Sequence, residues 1–212
     1  MNKYLVEFIG TFFLVFTIGN VVIAPGAGSL APLAIGAALT AMVYAGGHIS
    51  GAHYNPAITL AVFMRGKCDV KDVVPYLVAQ AAAAIVAGLI VTFIKGQEAM
   101  AAIEAINLQA ALPRALLVEI LATFALAYVI LNVATAKGTD GNSFYGLAIG
   151  FTVMAMIFAV RGVSGGVFNP AVAVGTSVMG LSNWTDIWVY FVANFGGAAL
   201  AAIVFKVVNG DE

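Results

Sequence analysis

The same tripeptide is written twice in this chain, as Asn55-Pro56-Ala57 and Asn169-Pro170-Ala171, 114 residues apart. Each copy follows a run that begins Ser-Gly: Ser50-Gly51-Ala52-His53-Tyr54 and Ser164-Gly165-Gly166-Val167-Phe168. Asn is a favoured helix N-cap and Pro a favoured first helical residue, so each copy reads as a helix start after irregular backbone. The apolar stretches that follow, from Pro56 to Arg65 and from Pro170 to Leu181, have only ten and twelve residues. At 1.5 Å per residue they are roughly 15 to 18 Å long, about half of a hydrocarbon core about 30 Å thick. Two such half-helices meeting end to end make one span, with both Asn side chains near the bilayer midplane.

Composition identifies the medium. The chain is 62% hydrophobic and 9% charged, with a mean hydropathy of +1.03, whereas an ordinary soluble domain has roughly 25% charged residues. An integral, multi-pass membrane protein in contact with the lipid bilayer is expected. A net charge of −1 suggests no nucleic-acid partner. The lone Cys68 excludes an internal disulfide and reads as a solvated thiol among Arg65, Lys67, Asp69 and Lys71.

Apolar runs predict spanning helices over Leu5–Ala24, Leu33–Ala45, Val74–Ile94, Ala115–Ala136, Phe144–Val160 and Trp184–Val208. The first could be a cleaved signal peptide. Against that, Glu7-Phe8-Ile9-Gly10-Thr11-Phe12 returns as Glu119-Ile120-Leu121-Ala122-Thr123-Phe124, 112 residues later. Ala34-Ile35-Gly36 returns as Ala148-Ile149-Gly150, and Tyr76-Leu77-Val78-Ala79-Gln80 as Tyr190-Phe191-Val192-Ala193-Asn194, both at a spacing of 114. The expected plan is one transmembrane domain over residues 1–212, with repeats at about 1–95 and 115–208 joined by a linker at about 96–114. Each half has three spans and one half-helix. Three is odd, so the second half is inverted relative to the first, as in many transport proteins. With the N-terminus inside, six basic residues (Lys3, Arg65, Lys67, Lys71, Lys137, Lys206) are cytoplasmic and three (Lys95, Arg114, Arg161) are outside. That bias predicts both termini in the cytoplasm. Short termini without a targeting extension favour a prokaryotic inner membrane.

Irregular backbone at membrane depth is tolerated only beside protein or a water-filled cavity, so residues 47–55 and 162–169 are expected to line one. Both half-helices point a partial positive charge at the centre, where Asn55 and Asn169 add amide donors. A passing water can accept from both amides, while a cation meets two positive helix ends and no carboxylate. Two histidines, His48 and His53, without a third ligand nearby predict no metal site. No nucleophile with a base and no nucleotide fingerprint is present, so neither a cofactor nor an enzymatic activity is expected. Trp184, Trp188 and Tyr190 read as an interfacial belt. Gly10, Gly88, Gly196 and Gly197 read as close helix-packing positions, and Gln80 and Asn194 as ties between helices or loops.

The string from Gly47 to Ala57, the second Asn-Pro-Ala and the inverted halves resemble the aquaporin or major intrinsic protein family over almost the whole chain. The resemblance implies six transmembrane helices plus two re-entrant half-helices, and a homotetramer in which each monomer passively conducts water or small neutral solutes. It implies that the backbone of Gly51, Ala52, His53, Gly165, Val167 and Phe168 lines the pore. It also implies that Glu7 and Glu119 support the loops; His48 reads as a loop-supporting residue through hydrogen bonds or as part of the cytoplasmic pore lining. In the family an Arg normally follows the second motif and forms an outer constriction with three other positions. Here that residue is Val172. The other three are Ile35, where an aromatic is usual, Ile157, where water channels usually have His, and Gly166. The inferred constriction carries no charge, no ring and no side-chain donor. Arg161 is expected to snorkel to the interface rather than reach the mouth.

Three alternatives stand beside a channel for water and other small uncharged solutes. The same fold could carry chiefly ammonia, carbon dioxide, glycerol or urea. A proton-coupled carrier could use Glu7 or Glu119, because intramembrane carboxylates are functional by default. A closed protein with a degenerated pore would show no permeability at all.

Overall fold

The computed structural model describes residues 2–210. In chain order its helices are α1 (Asn2–Val22), α2 (Ala31–Ser50), α3 (Pro56–Met64), α4 (Val70–Ala101), α5 (Leu112–Thr135), α6 (Tyr145–Ser164), α7 (Pro170–Val178) and α8 (Ile187–Asn209). Six are long and apolar enough to cross a membrane. The other two, α3 and α7, have nine residues each. Six crossings return the chain to the face it left, so one face carries the ends of α1 and α8; the opposite face is called distal.

The two halves interlock. Helix α1 packs on α2 and α4, α5 packs on α6 and α8, and α2 meets α6 across the inverted repeat. Each half-helix crosses over: α3 lies chiefly on α8, and α7 chiefly on α4. The α2–α6 crossing is a contact of backbones. A Cβ on Gly36 would lie 2.7 Å from the carbonyl oxygen of Gly150, and one on Gly150 would overlap both Thr40 and the Gly36 carbonyl. Gly150→Val should therefore force α2 and α6 apart at a cost of about 1 to 3 kcal/mol. A melting temperature in detergent unchanged from wild type would contradict that packing.

Three helices run further than their sequence suggests. Helix α2 continues through Gly46 and Gly47 to Ser50, five residues past Ala45, and α6 continues to Ser164, four past Val160. Gly46 is a notch rather than a stop: a Cβ there would overlap the Tyr54 hydroxyl and meet Val6 at 2.6 Å. The helices end where Gly51 and Gly165 take φ of 83° and 88°, a left-handed conformation glycine adopts without steric cost. The irregular segments thus shrink to 51–55 and 165–169. Helix α4 starts at Val70 rather than Val74, because Asp72 is drawn inward by an ion pair with Lys3 and a 2.7 Å hydrogen bond from Tyr4. It also passes the expected end at Ile94, turns at Gly96 (φ 78°, ψ 168°) and reaches Ala101. Just before that turn the Lys95 ammonium donates to the carbonyls of Asn20, Ile23 and Pro25 at 2.7 to 2.8 Å, pinning the α1–α2 connection.

Three further expectations change. Trp184 and Trp188 are exposed, but Tyr190 is wholly buried and is not part of a belt. Gly10, Gly88 and Gly197 face close neighbours, whereas a Cβ on Gly196 would meet open space. Cys68 is half-buried rather than fully solvated, and burial, with Asp72 and Asp69 nearby, pushes its thiol up.

Candidate functional site

Two buried carboxylates hold the irregular segments. Glu7 Oε1 accepts from Ser50 Oγ (2.7 Å) and the His53 N–H (2.9 Å), and Oε2 from the Tyr54 N–H (2.7 Å) and Gln80 Nε2 (2.8 Å). Glu119 repeats this set. Its Oε1 accepts from Ser164 Oγ (2.6 Å) and the Val167 N–H (2.9 Å), and its Oε2 from the Phe168 N–H (2.8 Å) and Asn194 Nδ2 (2.9 Å). Tyr76 and Tyr190 complete the two cradles by donating to the carbonyls of Ser50 (2.7 Å) and Ser164 (2.8 Å). Four donors converge on each carboxylate, which makes each one a hub for backbone that neither helix nor sheet satisfies.

The cradles hold strained backbone. Tyr54 and Phe168 both have φ of 51°, and a bulky residue there costs on the order of 1 to 3 kcal/mol. Their N–H groups go to Glu7 and Glu119, and their carbonyls are taken from the opposite half. Asn55 Nδ2 donates to Phe168 O (2.8 Å), and Asn169 Nδ2 donates to Tyr54 O (2.9 Å). Each Asn also caps its own half-helix, accepting from Ala57 N at 2.8 Å and Ala171 N at 2.9 Å. Pro56 and Pro170 occupy the first helical positions behind these caps. A primary amide has two N–H groups, so the clasp uses one on each Asn and leaves the second for another acceptor. Both half-helix N-termini face the same place and add partial positive charge there.

A cavity of about 430 Å³ opens toward the distal face and contains both asparagines in its wall. Ile35, Ile157, Gly166 and Val172 all line it, from four different parts of the chain. A second cavity, of about 710 Å³, lies toward the face of the chain ends; His48, Gly51, Lys67 and Asp140 are in its wall. His53, Ile130 and Ile149 belong to both walls, so the two spaces are bordered by the same side chains near the asparagines. Ala52, His53, Gly165, Val167 and Phe168 line the distal space.

The two halves are not equivalent at this junction. The His53 ring stands edge-on to Tyr76 with centroids 5.0 Å apart, and its Nδ1 is 3.1 Å from Thr59 Oγ1, which also receives Gln80 Nε2 at 3.1 Å. Its counterpart, Val167, has no such polar handle.

His48 is exposed in the last turn of α2 and lines the 710 Å³ cavity, the second of its two expected places. The loop bonds are made by Ser50, Tyr76 and Gln80. Arg161 lines the distal cavity rather than turning away from the mouth. The cradle roles of Ser50, Ser164, Tyr76 and Tyr190 escaped the sequence reading, although both pairs recur at the 114-residue spacing. That recurrence was the available signal; what each residue touches was not.

A family model described as Major intrinsic protein matches residues 1–205. The chain is 39% identical to glycerol uptake facilitator protein-like 6 of Lactiplantibacillus plantarum, over the full length of both. It is 36% identical to aquaporin NIP1-4 of Oryza sativa subsp. japonica, covering all of this chain and 79% of that one. The aquaglyceroporin structure from Plasmodium falciparum superposes with a TM-score of 0.76 over 97% of this chain and 95% of that one, at 22% identity, and so shares its fold.

Proposed function

The chain belongs to the major intrinsic protein family of membrane channels, and on that basis we propose a passive channel that passes water and small uncharged solutes of the glycerol and urea class. One observation carries the choice of cargo. Ile35, Ile157, Gly166 and Val172 line one cavity and bring neither ring nor charge to it, so the neck selects by width and apolarity rather than by a fixed donor. The name of the Lactiplantibacillus plantarum relative, a glycerol uptake facilitator-like protein, points the same way. In this reading Asn55, Pro56, Ala57, Asn169, Pro170 and Ala171 form the central site, where the two free amide N–H groups hand solute oxygens from one half to the other. The half-helix ends and asparagines exclude cations there.

The cradles favour a channel over a proton-coupled carrier. Each carboxylate of Glu7 and Glu119 already accepts four hydrogen bonds, so neither has an idle oxygen to relay protons. The domain comprises both repeats, about 1–95 and 115–208, with the linker between them. Both termini face the cytoplasm of a prokaryotic inner membrane, and four copies assemble.

Stopped-flow light scattering on proteoliposomes tests this reading. Fast shrinkage in an impermeant osmolyte, followed by re-swelling when glycerol or urea is the osmolyte, is the expected result. Fast shrinkage without re-swelling would mean a strict water channel. Rates equal to those of empty vesicles would mean no channel.

A further inference from the structure

We propose that Arg161 is a specificity-determining residue of this channel, the charge at the distal mouth that turns away cations while the neck beneath it selects by size. The inference rests on the channel reading above. Among the residues lining the distal cavity, Arg161 alone carries a full charge. It stands in the last turn of α6, four residues beyond Ile157, and residues four apart share a helix face. Ile157 lines the neck, and Arg161 lines the same cavity one turn further out.

Nothing in the described residues occupies its guanidinium: no hydrogen bond or ion pair ends on that side chain, and the residue is exposed. The chain around it is stripped of side chains. Gly162, Gly165 and Gly166 share the cavity wall with it. A Cβ on Gly166 would lie 3.5 Å from the Ile157 Cα and 3.6 Å from the Arg161 Cα, so the loop passes directly against this face of α6. The φ of Gly166, 71°, holds that close passage in a conformation few other residues tolerate. Arg161 therefore supplies the one long side chain among these wall residues.

Its effect on an ion is large and on a neutral solute small. Two unit charges about 6 Å apart at an effective dielectric of about 20 repel by enough to lower cation occupancy roughly a hundredfold. Screening at an open vestibule reduces this to about tenfold. A neutral polyol meets no such penalty. Because the charge lies outside the ring of Ile35, Ile157, Gly166 and Val172, it does not narrow that ring. Size and charge are thus selected at two successive levels.

Arg161→Lys, Arg161→Gln and Arg161→Glu, reconstituted beside wild type, separate these levels. Glycerol and urea entry is read by light scattering. Proton and Na⁺ leak under an imposed potential is read with entrapped pH-sensitive and Na⁺-sensitive dyes. Neutral-solute rates should stay within about twofold of wild type in every variant. Leak should be unchanged in Arg161→Lys, about tenfold higher in Arg161→Gln and higher again in Arg161→Glu. Retained neutral flux certifies that a variant is folded, and if Arg161→Glu fails to reconstitute, Arg161→Gln carries the comparison. Wild-type flux together with an Arg161→Gln as ion-tight as wild type would overturn this role alone. Wild-type vesicles no more permeable than empty ones would overturn the channel reading and this role with it.

Discussion

Glu119→Gln is expected to yield a protein that melts well below wild type in detergent, without any change in the pH dependence of transport. The substitution replaces one acceptor oxygen by an NH₂ group inside a cradle built wholly of donors: Ser164 Oγ, the Val167 and Phe168 N–H groups and Asn194 Nδ2. The Ser164 hydroxyl can rotate and accept from the new amide. The Val167 N–H beside it then has no partner, and an orphaned buried donor costs about 1 to 3 kcal/mol. The remaining bonds lose their charge assistance as well. A total on the order of 3 kcal/mol follows, enough to consume much of the stability of a typical domain. Glu119→Ala removes all four acceptor contacts and leaves a void, and should not give a folded channel. The outcome that would sink this account is a Glu119→Gln protein as stable as wild type that has lost a pH-driven uptake. That would hand the residue back to proton coupling.

Val172→Arg should cut glycerol and urea entry at least about tenfold while sparing water. Val172 is buried in the first turn of α7, and its N–H lies 3.4 Å from the capping Asn169 oxygen, so its backbone cannot swing away. The longer side chain must therefore enter the space bounded by Ile35, Ile157 and Gly166. Once there, its guanidinium finds no carboxylate among the residues lining that cavity and is repelled by Arg161 above it. The chain's remaining course is across the opening, where it excludes solutes wider than water. Equal glycerol and urea rates in Val172→Arg and wild type, measured by light scattering at matched protein density, would remove Val172 from the neck.

These two positions differ in how far their roles could be read in advance. Val172 is assigned to the constriction by the family resemblance, as the residue that follows Asn169-Pro170-Ala171 where the family normally has Arg. Glu119 was visible as a carboxylate in an apolar run, but its four donors come from residues 45 to 75 positions away. Only the rotation of α5 against α6 and α8 brings them to one point. The same holds for Tyr190: beside Trp184 and Trp188 it looks like an interfacial aromatic, yet it faces inward and binds the Ser164 carbonyl. Gly46 and Gly47 suggested a helix end. The helix runs on through both to Ser50, and position 46 is a glycine because Tyr54, returning from the re-entrant loop, packs where a side chain there would stand.

By itself the sequence determined the lipid medium, the six spans, the two half-helices and the inversion of one half against the other. Each of these depends on local quantities: hydropathy over a span, an Asn-Pro helix start, and the parity of the spans in a repeat. The tertiary structure alone decided which groups meet: the paired carboxylate cradles, the exchange of Asn amides for Tyr54 and Phe168 carbonyls, and the presence of Arg161 at the mouth. Those contacts join residues up to 115 positions apart. Whether they form depends on helix rotation and on backbones approaching at glycines such as Gly36 and Gly150, and neither of these is encoded in the period of any one segment.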